Sequence, residues 1–268
     1  VGDQGLLAQQ RRALIVEAVQ REGAVRVSDL VETLGVSDMT IRRDLDALAQ
    51  NGTVEKVHGG AVIASGSAQE PGFDAKSVLE SAAKADIADA AAGLVQPGSV
   101  VSLGGGTTTY AVAKRLLSVP NLTILTNSLP IEQLFRNHSA SSMQSPAVLL
   151  TGGASSRSQA LVGPIAEHTI MSLHTDLLIL GTHGVTEAEG LTSPSLAESQ
   201  TNRVFISRAR RMVLAADHTK WGMIGLSSFA RLDQVNCFIT DAGMPQEAVS
   251  LLAERVGELV VAGSDGVG

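Results

Sequence analysis

Apolar residues recur at helical spacing as far as Gly52 and in short unbroken runs after Gly72, and that change of period divides the chain. From Gln9 to Glu22, Leu14, Ile15, Ala18 and Val19 share one stripe that stops at Gly23. A shorter helix takes Ser28 as its N-cap, turns Leu30, Val31 and Leu34 inward and ends at Gly35. A third takes Ser37 as N-cap, places Asp38 at the positive helix end, buries Ile41, Leu45 and Leu48, and stops at Gly52. With only Gly35 and Val36 between them, the second and third helices must meet at the sharp corner of a helix-turn-helix. Val54 and Val57, then Gly59-Gly60, then Ala61-Val62-Ile63 predict a small β-hairpin beside the helices. The small, polar stretch from Ala64 to Pro71-Gly72 predicts a linker. Residues 1–63 are thus expected to form one unit, 64–72 a linker and 73–268 a larger domain.

In the larger domain, β-branched or leucine-rich runs alternate with helix-length segments: Val100 to Leu103, Leu122 to Leu125, Ala147 to Leu150, Leu177 to Leu180, Met212 to Ala216 and Cys237 to Thr240. Continuous apolar strands between helices predict an α/β domain, doubly wound about a mostly parallel sheet. Ligands bind such sheets beyond the carboxyl ends of the strands, so the residues after each run carry the chemistry. The first run leads into Gly104-Gly105-Gly106-Thr107-Thr108-Thr109 and a helix expected from Tyr110 to Leu117. Glycines admit a ligand close to the backbone, the helix start offers free N–H groups, and three hydroxyls add donors, a setting for phosphate. The loop is not a Walker A loop, lacking the Gly-Lys-Ser/Thr ending. Nor is it the Gly-x-Gly-x-x-Gly dinucleotide motif, because Thr109 stands at the last glycine. Thr126-Asn127, Gly152-Gly153, Gly181 and Asp217 with Lys220 follow other runs, and Lys84 precedes Ala85 to Leu94 as a second cation. Together these groups suit a polyhydroxylated anion such as a phosphorylated sugar. Taken singly, each would serve as a helix cap or a surface ion pair.

Composition narrows the field. Of 268 residues, 44% are hydrophobic and 18% charged, which supplies a core and excludes an extended disordered chain. Aromatics at 3% leave too few platforms for stacking single-stranded nucleic acid. A net charge of -7 and a pI near 5.4 exclude a generic polyanion binder. The single cysteine, Cys237, lies in an apolar run and cannot form an internal disulfide, which fits a cytoplasmic setting. No apolar run approaches the roughly 18 residues of a membrane helix, and Val1 to Gln10 carries no secretory pattern. No metal-ligand spacing stands out, and no cofactor is implied. Through Val62 there are seven basic and nine acidic residues, so a DNA reader here must segregate its cations onto one face. The residues placed to do so open the third helix: Ser37, Asp38, Met39, Thr40, Arg42 and Arg43. Lys56 and His58 on the hairpin would reach the DNA backbone from the side. Arg42-Arg43 by itself is no more than a solvated arginine face.

The run Leu34-Gly35-Val36-Ser37-Asp38-Met39-Thr40-Ile41-Arg42-Arg43-Asp44-Leu45, followed by Val57-His58-Gly59-Gly60-Ala61, resembles the winged helix of the DeoR family of bacterial transcriptional regulators. The resemblance implies that residues 37–49 form a recognition helix for double-stranded operator DNA. It implies a phosphosugar-sensing domain in the remaining chain, similar in fold to ribose phosphate isomerases and CoA transferases. There it rests on Lys84, the Gly-Thr-Thr loop, Thr126-Asn127, Gly152-Gly153, Gly163-Pro164, Gly190-Leu191-Thr192, Glu198, and the Asp-x-x-Lys of Asp217 and Lys220. Two positions depart from the pattern. Gly104 stands where the family usually has Asp, removing an acceptor for a sugar hydroxyl, and Lys76 stands where Arg is usual.

The competing reading is a phosphosugar isomerase, which needs a general base and an acid or cation for its enediolate. Isomerases that resemble this domain carry an acidic cluster and a lysine after the fourth strand. Here Gly181-Thr182-His183-Gly184-Val185-Thr186 offers no carboxylate before Glu187 and no lysine before Lys220. The expectation is a non-enzymatic repressor acting as a homodimer or homotetramer. A phosphorylated sugar at Gly104 to Thr109 would shift paired winged helices away from the spacing of their half-sites.

Overall fold

The computed structural model describes residues 8–22, 24–50, 53–57, 59–63, 73–77, 79–139 and 146–263. By its own contacts the chain forms two units, Val1–Leu79 and Glu80–Gly268. The expected linker, 64–72, lies outside the described residues. The division falls later than the expected start at residue 73, because a short helix there packs against the first helix.

The first unit runs α1 (Ala8–Glu22), β1 (Ala24–Arg26), α2 (Val27–Leu34), α3 (Asp38–Gln50), β2 (Val54–Val57), β3 (Gly60–Ile63) and α4 (Phe73–Ser77). The expected hairpin is present, with Val54 opposite Ile63 and Val57 opposite Gly60. Unforeseen, β1 pairs with the other side of β3 to make a three-stranded sheet. A side chain at Gly60 would put its Cβ 2.0 Å from the Val25 carbonyl oxygen, so only glycine permits that approach. Ile15, Val16, Val19, Leu30, Ile41, Leu45 and Leu48 form the core.

Two local expectations are corrected. Leu14 is 40% exposed and Val16 is buried in its stead, because α1 lies against both α3 and the small sheet. Ser28 is not a cap: α2 begins one residue earlier, and the Val27 N–H bonds the Gly59 carbonyl at 2.9 Å, meeting the need a capping side chain would serve. Ser37 does precede α3, and its Oγ accepts the Thr40 N–H at 3.3 Å. Further along α3, the buried carboxylate of Asp44 accepts Arg11 Nε at 2.6 Å and Arg12 Nε at 2.9 Å, clamping α3 to α1.

The second unit continues with α5 (Ser81–Gly93), β4 (Val100–Leu103), α6 (Thr107–Leu116), β5 (Thr123–Thr126), α7 (Leu129–Ser139), β6 (Ala147–Leu150), β7 (Ala154–Ser155), β8 (Leu161–Val162) and α8 (Pro164–Met171). It ends with β9 (Thr175–Leu180), β10 (Gly184–Thr186), β11 (Gly190–Ser193), α9 (Leu196–Arg208), β12 (Ala209–Ala215), β13 (Ser227–Ala230), β14 (Cys237–Asp241), α10 (Gln246–Arg255) and β15 (Leu259–Ala262). Seven strands form a parallel sheet in the order β15-β14-β12-β9-β4-β5-β6. Alternate strand residues face opposite ways. Val101, Ile124 and Ile179 meet Ile87, Val112 and Phe135 from α5, α6 and α7. Leu178, Leu214 and Phe238 meet Ile170, Phe205 and Leu252 from α8, α9 and α10. Cys237, at the start of β14, is fully buried, and that burial, with the nearby Glu258 charge, pushes its thiol up.

All six expected strand runs are in this sheet; β15, the antiparallel sheet β10-β11-β13 and the β7–β8 pair were not foreseen. Among the described residues no helix is long and apolar enough to cross a membrane. Replacing Asp44 with Ala leaves the nearly buried Arg11 without its carboxylate and is expected to lower unfolding free energy by about 3 kcal/mol, measurable by denaturant titration.

Candidate functional sites

On α3 and the residue before it, Ser37, Asp38, Met39, Arg42 and Arg43 are exposed and Thr40 is half-buried, while Ile41, Asp44 and Leu45 face the core. Met39 is 63% exposed, an apolar tip of the kind that meets a thymine methyl. Asp38 accepts Arg42 Nε and Nη2 on two oxygens, and this bond and charge hold the Arg42 guanidinium more firmly protonated than usual. Arg43 makes no side-chain hydrogen bond or ion pair among the described residues. Lys56, expected to reach the DNA backbone, is paired instead with Asp46 of α3, because the hairpin lies alongside that helix. His58 lies outside the described residues.

In the second unit, the chain steps from β4 out to β5 and β6, then returns past β4 to β9 and continues to β12, β14 and β15. The strand order therefore reverses between β4 and β9, the switch point beyond whose carboxyl side such sheets hold their ligands. Gly104-Gly105-Gly106 leaves β4 there, and Gly181 leaves β9. The Gly104 N–H bonds the Ile179 carbonyl at 3.1 Å, and the Gly105 N–H bonds Asn127 Oδ1 at 2.9 Å. A Cβ at Gly105 would lie 2.6 Å from the Cβ of Ala160, and one at Gly104 2.4 Å from Leu180 Cδ2. The space an acidic residue would need at 104 is thus filled by Leu180.

Several expected ligand contacts are committed within the protein. α6 begins at Thr107, ahead of the expected Tyr110, so the threonines form a helical first turn and not a loop. Thr109 is fully buried and donates to the Gly106 carbonyl at 3.0 Å, and Thr108 is buried as well. As the first residues of α6, Thr107 and Thr108 have N–H groups with no acceptor within the helix. Buried Thr126 donates to the Leu103 carbonyl at 2.7 Å and accepts the Ser128 N–H. Asn127 uses its other end to donate to the Leu161 carbonyl at 3.0 Å. These two residues brace the glycine loop. Gly152 and Gly153, at positive φ, turn the edge strand β6 into β7, with β5 between them and β4. Glu198 in α9 accepts from Ser158 at 2.6 Å and Ser193 at 3.4 Å, Ser158 belonging to the loop whose Ala160 covers Gly105.

At the end of β12, Asp217 is fully buried. Its Oδ1 accepts the Thr219 N–H at 3.1 Å and the Thr219 hydroxyl, while Oδ2 has no hydrogen-bond partner among the described residues. Burial pushes the carboxyl up, but the Lys220 charge, the Thr219 bonds and the Lys84 charge outweigh it, and the group sits below the ordinary carboxylate range. Lys84, buried on α5, is lowered to about 8 by desolvation and by the Lys220 charge, against the opposing pull of Asp217 and Glu80. At Gly181 a Cβ would meet nothing nearer than the Ala215 carbonyl oxygen at 3.8 Å, an ordinary contact, so close packing does not require glycine there. Lys84, Asp217 and Lys220 are therefore one electrostatic cluster.

Sequence reasoning missed His218. Asp241, at the end of β14, accepts His218 Nδ1–H at 2.8 Å and its backbone N–H at 2.7 Å, which leaves Nε2 as the ring's other hydrogen-bonding atom. A Cβ at Gly243 would come within 2.6 Å of His218 Nδ1, so glycine makes room for the pair. The only sequence signal was an Asp ending one strand run and a His following another; their meeting depends on β12 and β14 being neighbours.

Residues 11–66 match the family model of the DeoR-like helix-turn-helix domain, and residues 79–242 that of the DeoR C terminal sensor domain. The chain is 32% identical over 247 residues to the glycerol-3-phosphate regulon repressor of Escherichia coli (strain K12), spanning 92% of this chain and 96% of that protein. It is 30% identical over 257 residues to the putative aga operon transcriptional repressor of Escherichia coli O157:H7, spanning 95% and 94%. Among solved structures it is similar to ribose 5-phosphate isomerase a from Methanocaldococcus jannaschii, with TM-score 0.37 and 16% identity over 52% of this chain and 53% of that one.

Replacing Asn127 with Ala strands a half-buried N–H at Gly105 and a buried carbonyl at Leu161. It is expected to cost about 2 kcal/mol in denaturant titration, with faster hydrogen exchange at Gly105.

Proposed function

Because the chain belongs to the DeoR family of transcriptional regulators, we propose that it represses sugar-metabolism genes, gripping operator DNA through α3 and answering to a phosphorylated sugar at the carboxyl edge of its seven-stranded sheet. The observation that carries the effector reading is the unpartnered Asp217 Oδ2, buried in the field of Lys84 and Lys220. A buried acceptor without a donor is costly until a ligand hydroxyl supplies one. Two cations coupled to that carboxylate suit a phosphate. His218 Nε2 adds a second hydrogen-bonding atom for a hydroxyl. The name of one relative, the glycerol-3-phosphate regulon repressor, supports a phosphorylated polyol.

Regulation follows from linkage. If the sugar phosphate binds the DNA-free state more tightly, operator DNA weakens its binding by the same factor. A homodimer or homotetramer matches an operator with repeated half-sites.

The pH profile of binding tests the effector site. Bound phosphate favours charged Lys84, whose proton is lost near pH 8 in the free protein. Calorimetry with a panel of sugar phosphates, glycerol 3-phosphate and inorganic phosphate is expected to give the tightest binding between about pH 7 and 8, the ligands themselves taking up a proton below that. Above pH 8 affinity falls about tenfold per unit until the complex itself deprotonates. Lys84→Met flattens the profile and weakens binding roughly 10- to 100-fold. Asp217→Asn weakens the sugar phosphate but not inorganic phosphate. No binding by any of the panel, a flat wild-type profile, or isomerisation of a bound sugar would overturn the reading.

A further inference from the structure

The Asp38–Arg42 pair does little for stability, since its side chains are 58% and 54% exposed and lie in solvent. Its geometry is nevertheless specific. Arg42 Nε meets Asp38 Oδ1 at 2.5 Å and Nη2 meets Oδ2 at 3.2 Å, so the guanidinium is gripped along one side by both carboxylate oxygens. A guanidinium has five N–H donors; two are taken, and the three left include the end-on pair from Nη1 and Nη2. That pair matches the O6 and N7 acceptors of guanine in the major groove. Asp38 opens α3 and Arg42 follows one turn later, on the helix end that enters the groove in a helix-turn-helix. The carboxylate also repels phosphate, which discourages Arg42 from swinging to the DNA backbone. Arg43, about 100° further round the helix, is exposed and has no such partner among the described residues.

We propose that Arg42 reads a guanine, that Asp38 is the positioning residue that holds its guanidinium end-on, and that Arg43 supplies a phosphate contact indifferent to sequence. This rests on the family's DNA-binding function and assigns the separate duties of three neighbouring side chains.

The test uses the full chain against a pool of randomised duplex DNA, selected and sequenced, followed by salt titrations on the best duplex and its single-base-pair derivatives. The wild type is expected to select a motif with a fixed guanine in each half-site. Arg42→Ala loses preference at that base pair alone, roughly 10- to 100-fold. Asp38→Ala relaxes the same position about tenfold while binding to unrelated duplexes is unchanged or stronger. Arg43→Ala weakens all duplexes alike and lowers the salt slope by about one. Circular dichroism confirms that each exposed-site variant is folded. The assignment fails if Asp38→Ala keeps the full guanine preference, if Arg42→Ala alters only the salt slope, or if the motif has no fixed guanine. A wild type that selects nothing instead defeats the DNA-binding reading itself.

Discussion

Parallel pairing is the constraint from which the sensor unit's chemistry follows. Strands aligned the same way need a crossover between each pair, and helices supply it, covering both faces with apolar side chains. Their carboxyl ends then collect on one edge, where loops carry polar groups that the buried strands cannot. The reversal of strand order between β4 and β9 marks one place on that edge. Lys84 comes from a helix on one face and Asp217 from a strand two places from β4, residues distant in the chain that share one field. Asn127 and Thr126 hold the glycine loop from behind, so its conformation is set before any ligand arrives.

The small N-terminal unit meets a different constraint, an acidic surplus on a surface meant for DNA. Its carboxylates are assigned individually. Asp44 is sunk between Arg11 and Arg12 as a clamp, Asp46 holds the hairpin's Lys56, and Asp38 grips Arg42. Arg43, among the described residues, faces solvent without a counter-charge, at the end of the helix where positive charge has use. A net count of charges says little about such a surface, because pairing decides which cations stay available.

Much of this was legible in the sequence because it follows from local periodicity. Ile41, Leu45 and Leu48 repeat at helical spacing and are buried; the six apolar runs are strands of one sheet. Features that depend on distant partners were hidden. Three-residue β1 is too short to show a period, and the Gly59 carbonyl that replaces a Ser28 cap comes from across the fold. Thr109 looked like a ligand contact, yet its hydroxyl closes on the carbonyl of its own turn. Strand order has no signature in a single chain, so neither the switch point between β4 and β9 nor the His218–Asp241 pair could be placed. The unpartnered oxygen of Asp217 was equally invisible: composition reveals a carboxylate, whereas its lack of a donor is a property of packing.

The same close packing gives the chain a private gauge of its own integrity. Cys237 begins β14 in the middle of the buried layer, with its sulfur sealed from solvent and its proton held tightly. Thiolate is the reactive form, so thiol-directed alkylating reagents find no partner while the sheet is whole. Since this is the chain's one thiol, the rate at which a maleimide marks the protein counts the moments when β14 parts from its neighbours.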